Sequence, residues 1–210
     1  MPLSFDPITP RRAEIPRPSP RAAGGEALVV LLPGFGYGPD KPLLHYVRRA
    51  AQRGGLAVEA VDYGPLPREE DLACRVRRAF PAAFAAAAAQ LDAAAEREEW
   101  RDVYLVGKSF GTLIAGELAS QRPALPIRQI CLTPVPAALP YLERPDCLWA
   151  ACGDADPLLT GAALARMRAL LGSRLQVFAG ANHSLEVPGD PMASIEILRQ
   201  VTAALCGLLR

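Results

Sequence analysis

Gly107-Lys108-Ser109-Phe110-Gly111 sets a serine between two glycines, where the apolar run Val103 to Val106 gives way to a helix-like segment. With 17 glycines and 7 serines in 210 residues, chance would supply about 0.05 such G-x-S-x-G pentapeptides. The physical demand behind the motif is a very tight strand-to-helix turn that holds the serine in strained backbone geometry. Flanking glycines let neighbouring backbone pass without a Cβ clash. The serine Oγ then stands above the sheet at the positive end of the following helix. A serine that merely completes a turn needs no such pair of glycines, so Ser109 is read as a nucleophile.

A hydroxyl attacks only when a base removes its proton. The chain holds two histidines. His45 sits in a helix-like segment far upstream and reads as a packed or surface side chain. His183 lies in Gly180-Ala181-Asn182-His183-Ser184, just after the last strand-like run. Loops beyond the carboxyl ends of parallel strands form the ligand-binding edge of such sheets, which makes His183 the candidate base. An acid must fix the tautomer of that histidine, and Gly153-Asp154-Ala155-Asp156-Pro157 offers two carboxylates. Asp156, deeper in the loop, is preferred; Asp154, nearer the strand, suits organising the turn.

Negative charge developing on a substrate oxygen calls for backbone donors. The Phe110 N–H, next after the serine, is one candidate. Phe35, in Pro33-Gly34-Phe35-Gly36-Tyr37-Gly38, is the second, because Gly34 and Gly36 let that backbone approach a ligand. Tyr37 either lines an acyl pocket or packs its own loop. Lys108 would suggest a serine–lysine dyad, but neighbours in so tight a turn point apart and Ser-x-x-Lys spacing is absent. It is given no direct catalytic role.

These residues must be positioned by an alternation of strands and helices. Strands are expected at Ala27 to Leu32, Leu56 to Val61, Asp102 to Val106, Arg128 to Leu132, Asp146 to Ala151 and Arg174 to Phe178, the first a continuous aliphatic run suited to burial on both faces. Asp40 is expected to cap a helix carrying Pro42 in its first turn and stopping at Gly54-Gly55. A long helical region follows, from about Arg68 to Glu99, with Pro81 as a kink or break. Further helices are expected over Phe110 to Gln121, Leu158 to Leu171 and Ser194 to Leu209. Such alternation implies parallel strands joined by right-handed crossovers. Six prolines and four arginines in residues 1–25 mark an arm or edge strand, ahead of a domain over 26–210.

Composition narrows the functions available. Half the residues are hydrophobic and 21 % charged, with a net charge of +1. No clustered basic face is visible, so nucleic acid is not an expected partner. The longest apolar run is too short to span a bilayer, and no basic-then-apolar leader opens the chain, so a cytoplasmic location is expected. Five scattered cysteines without a CxxC pair, beside two histidines, argue for buried reduced thiols and against a metal. No cofactor is implied, and nothing selects an oligomeric state.

From about Ala27 onward the chain resembles the α/β-hydrolase superfamily. The order Ser109, Asp156, His183 matches that superfamily's order of nucleophile, acid and histidine. More narrowly, Pro33-Gly34-Phe35-Gly36-Tyr37, Lys41-Pro42-Leu43-Leu44, Gly-Lys-Ser at the elbow and Gly-Ala-Asn-His-Ser-Leu look like a group of small bacterial α/β hydrolases without a defined substrate. Pro33 departs from the histidine that often precedes the oxyanion-loop glycine. The resemblance implies a three-layer α/β fold with a mostly parallel central sheet and helices on both faces. It places a lid, in many relatives, in the connection that here runs from Thr133 to Asp146. Four prolines in that short passage leave no room for a helical cap, so an open site is expected. The implied activity is hydrolysis of a small carboxylic ester or thioester through an acyl-enzyme. Alternatives are a peptidase or carbon–carbon bond hydrolase on the same triad, or a non-catalytic interaction protein of the same fold.

Overall fold

The computed structural model describes residues 27–68 and 71–209; the arm expected over 1–25 lies outside them. Among the described residues six strands form one sheet, β1 (Leu28–Leu32), β2 (Ala57–Ala60), β3 (Val103–Lys108), β4 (Ile127–Leu132), β5 (Cys147–Gly153) and β6 (Leu175–Phe178). Their order is β2-β1-β3-β4-β5-β6 and every neighbouring pair is parallel. β1 and β3 are buried along their whole length, as their unbroken aliphatic runs require of central strands covered on both sides.

Alternate residues of each strand feed opposite layers. Val29, Leu31, Tyr104, Val106, Ile130 and Ala151 face α1 (Pro42–Arg53) and α6 (Pro191–Leu208). Leu28, Val30, Leu32 and Leu105 face α2 (Leu72–Arg97) and α3 (Phe110–Gln121). Cys131, Ala150 and Cys152 continue that second layer against α5 (Gly161–Leu171). The result is the three-layer arrangement expected, and among the described residues the sheet is wholly parallel. Between β4 and β5 lie only a 3-10 turn at Pro136–Ala138 and the single-turn helix α4 (Leu139–Leu142). Val135, Ala138, Leu139 and Leu142 are buried in the core, so this passage packs down beside α3 and no cap domain rises from it.

Several boundaries differ from the sequence expectations, each for a local reason. Lys41, not Asp40, is the N-cap of α1, without a side-chain cap; Asp40 instead reaches Arg48, 3.9 Å away at the surface. Pro81 does not break α2 into two, and the helix runs through 26 residues. Its small-residue stripe Ala79, Ala83, Ala87, Leu91 and Ala94 is buried at helical spacing, and packing of that stripe outweighs one lost backbone hydrogen bond. α5 starts at Gly161 rather than Leu158 because Thr160 caps it through Ala163 N–H, while Asp156 holds Leu158 and Leu159 in a turn. α6 starts earlier than expected, at Pro191, with the Asp190 side chain accepting from Ala193 N–H. Of the cysteines, Cys131, Cys147 and Cys152 are buried, Cys74 and Cys206 half-buried, and all five are free. No helix among the described residues is long and apolar enough to cross a membrane.

Candidate active site

The chain runs from β1 to one edge of the sheet at β2 and then returns to place β3 on the other side of β1. The loops leaving β1 and β3 therefore part company at the carboxyl edge, and the crevice between them is where such sheets bind ligands. Ser109 occupies that point. Its backbone, at φ 55 and ψ −119, lies in a region that costs a non-glycine residue on the order of 1–3 kcal/mol. The turn is held by Ser109 N–H donating to Leu132 O at 2.9 Å and by Thr112, whose N–H and hydroxyl both donate to Ser109 O.

Both motif glycines are required by space. A Cβ on Gly107 would stand 2.6 Å from the Gly111 carbonyl, and one on Gly111 would drive into the backbone of Leu32. Gly34 makes the third close approach: a Cβ there would meet Lys108 O and Ser109 Cβ, each at 2.9 Å. The loop after β1 is thus seated directly on the elbow. It closes on itself through paired hydrogen bonds between Gly34 and Tyr37, both 3.2 Å. The Phe35 ring stacks on Phe110 with centroids 4.4 Å apart, so the two residues whose amides were expected to act together are neighbours. Phe110 opens α3, where an N–H has no partner within the helix.

His183 joins the elbow from the loop after β6. Its Nε2 lies 2.7 Å from Ser109 Oγ and its Nδ1 2.6 Å from Asp156 Oδ2. The Asp156 side chain is fully buried and that of His183 is 23 % exposed. The second Asp156 oxygen accepts from Leu158 N–H at 2.9 Å. The structure thus brings together Ser109, His183 and Asp156. Asp154 is turned elsewhere: its Oδ1 accepts from Gly180 N–H at 2.7 Å, tying the β5 and β6 loops together. His45 is exposed on α1, edge-on to Tyr46.

Two contacts of the Lys108 amine leave no mark in the sequence. Lys108 is 1 % exposed, and its Nζ donates to the His183 carbonyl at 2.9 Å rather than meeting Ser109. Tyr37 lies over that Nζ at 4.7 Å, while its hydroxyl accepts from Leu43 N–H at 3.0 Å. The same tyrosine borders a groove of about 480 Å³ beside the histidine loop, shared with Leu43, Asn182, Leu185, Val187 and Ile195. Tyr37 therefore packs its loop and also faces a pocket. Among the described residues, no cluster of three or more His, Cys, Asp or Glu side chains is suited to hold a metal.

The sheet order, the serine elbow and the layers on either side define the α/β-hydrolase fold. No protein-family model and no curated protein matches the sequence. Among solved structures, the chain is similar to an α/β serine hydrolase homologue from Coxiella burnetii, with TM-score 0.61 at 16 % identity over 86 % of this chain and 85 % of that one. It is similar to Est1E from Butyrivibrio proteoclasticus with ferulic acid bound, with TM-score 0.61 at 15 % identity over 87 % and 88 %. An α/β serine hydrolase without a lid from Xanthomonas campestris superposes with TM-score 0.60 at 17 % identity over 90 % and 83 %.

Proposed function

We propose that the protein is a serine hydrolase that cleaves small carboxylic esters or thioesters through an acyl-enzyme. The observation carrying this reading is the unbroken hydrogen-bond chain from Ser109 Oγ through the His183 ring to the buried Asp156 carboxylate, with links of 2.7 and 2.6 Å. In the proposed reaction His183 Nε2 takes the Ser109 proton as Oγ attacks the carbonyl carbon. Asp156 accepts from Nδ1–H and stabilises the imidazolium that forms. The carbonyl oxygen becomes an oxyanion held by the Phe35 and Phe110 amides. His183 then returns the proton to the departing alkoxide or thiolate, and the same groups activate water to release the acid.

A fluorophosphonate tests the reading directly, since its phosphorus is captured by an activated serine and not by a resting hydroxyl. Labelling is expected at Ser109 alone, with no label on a folded Ser109→Ala variant, as read by peptide mass spectrometry. A folded wild-type protein that takes no label would favour the interaction-protein alternative.

Substrate size follows from the missing cap. A lid closing over an acyl chain contributes about 0.8 kcal/mol for each buried CH₂; without one, methylenes beyond the first few stay wet. Across acetyl, butyryl, octanoyl and palmitoyl esters of one alcohol, kcat/KM is expected to be flat or falling beyond about six carbons. Detergent interfaces should give no activation. A steady rise through palmitoyl would refute the open site while leaving the triad standing.

A further inference from the structure

Lys108 is among the largest fully buried side chains of the fold, and the proposed reaction makes no use of its amine. A buried ammonium is costly unless its charge is compensated. Here no carboxylate lies within ion-pair distance among the described residues; the polar partner is a neutral carbonyl, that of His183, and the Tyr37 ring lies 4.7 Å from Nζ. A methionine would fill similar space at lower cost. An amine at this position does one thing that an apolar side chain does not. It ties the end of β3, at the nucleophile, to the loop after β6, across the two strands β4 and β5 and a sequence gap of 75 residues.

We propose that Lys108 is a positioning residue that pins the His183 main chain, and so holds the imidazole within reach of Ser109, with Tyr37 as its aromatic roof. This rests on the hydrolase reading of the site. The geometry is direct: the same residue whose ring bridges Ser109 and Asp156 gives its carbonyl to Lys108. The histidine is therefore restrained from two sides, through its ring by Asp156 and through its backbone by Lys108. Leu185, two residues on, has positive φ at 59°, so the loop follows an unusual path that benefits from such a tether.

The groups facing the amine are Asp156, His183 and Tyr37, with Glu186 acting on Tyr37 from the histidine loop. Burial lowers the lysine pKa to about 7, and the Asp156 charge opposes that fall. Either protonation state keeps an N–H for the His183 carbonyl, so the tether persists on both sides of neutrality. What the depressed value adds is a stability signature. A lysine titrating near 7 in the folded chain and near 10.5 unfolded makes wild-type stability climb as pH rises between those values.

The test compares Lys108→Met with wild type on a short acyl ester. The tether predicts a fall in kcat of at least tenfold, KM within twofold, and a melting temperature at pH 7 that is unchanged or raised. Lost activity with retained stability separates positioning from packing. A kcat within twofold of wild type overturns the proposal, and so does an activity loss that merely follows a lowered melting temperature. Tyr37→Leu is the second variant. It should lower kcat several-fold by unroofing the amine, and the double variant should be no slower than Lys108→Met alone, because residues acting in series are not additive. An unchanged kcat with a raised KM in Tyr37→Leu would overturn the roof and leave Tyr37 as a pocket residue. If wild type turns over an ester and Lys108→Met equals it, the positioning role alone falls. If wild type neither turns over esters nor labels at Ser109, the hydrolase reading falls and takes the tether with it.

Discussion

Asp156→Asn should fold as the wild type does and hydrolyse a short ester about 10⁴-fold more slowly in kcat, because the histidine would present the wrong tautomer. The local hydrogen bonds say why the replacement cannot simply rotate to suit. One Asp156 oxygen is held by Leu158 N–H at 2.9 Å and the other faces His183 Nδ1 at 2.6 Å. An asparagine keeps the Leu158 bond only with its carbonyl oxygen there, which turns its NH₂ toward the imidazole. Nδ1 must then accept, Nε2 carries the proton, and a donor rather than a base faces Ser109 Oγ. Asp154→Asn is the control. Its carboxylate receives Gly180 N–H, a bond that an amide oxygen also accepts, so kcat should stay within about threefold of wild type. Steady-state kinetics on both variants decide the matter. If Asp154→Asn were the more damaging change, the two aspartates would have to exchange roles.

The amino-acid sequence alone narrows the acid to two neighbouring aspartates and the base to one histidine, because some physical constraints fall on residue type and others do not. A serine elbow needs glycines, since Gly107 and Gly111 lie where no Cβ fits. Central parallel strands need unbroken aliphatic runs, and β1 and β3 have them. Such demands can be read directly. The lysine tether makes no comparable demand on its partner. A backbone carbonyl accepts whatever its side chain is, so nothing in Asn182-His183-Ser184 announces that Lys108 lies beneath it. The aspartates are told apart by Leu158, whose N–H fixes the rotation of Asp156 and incidentally delays the start of α5. Pro81 misleads as a breaker for the opposite reason. A single strong local preference is set against five buried positions along α2, and packing over the whole helix prevails.

Gly111→Ala should be the most destabilising of the conservative changes at the elbow, lowering the free energy of unfolding by at least about 4 kcal/mol. Gly111 lies in the first turn of α3, where alanine would ordinarily gain about 1 kcal/mol over glycine. Any net loss must therefore come from the tertiary fit. An added Cβ would stand under 3.0 Å from Leu32 O, Leu32 C and Pro33 O, all backbone atoms at the end of β1. A flexible side chain could swing aside; the central strand of a buried parallel sheet cannot. Relief requires α3 to move off β1, which would also draw Phe110 away from the Phe35 ring it stacks on and spread the two amides proposed to hold the oxyanion. Gly38→Ala is the comparison, since a Cβ there meets nothing within 4 Å, and it should change stability by no more than about 0.5 kcal/mol. Urea unfolding of the two variants beside wild type measures the contrast. In a chain of this size the first should also melt on the order of 10 °C lower. Equal stabilities would mean that the elbow and β1 are less tightly joined than their backbones indicate, and with that the reason for glycine at the fifth position of the motif would be lost.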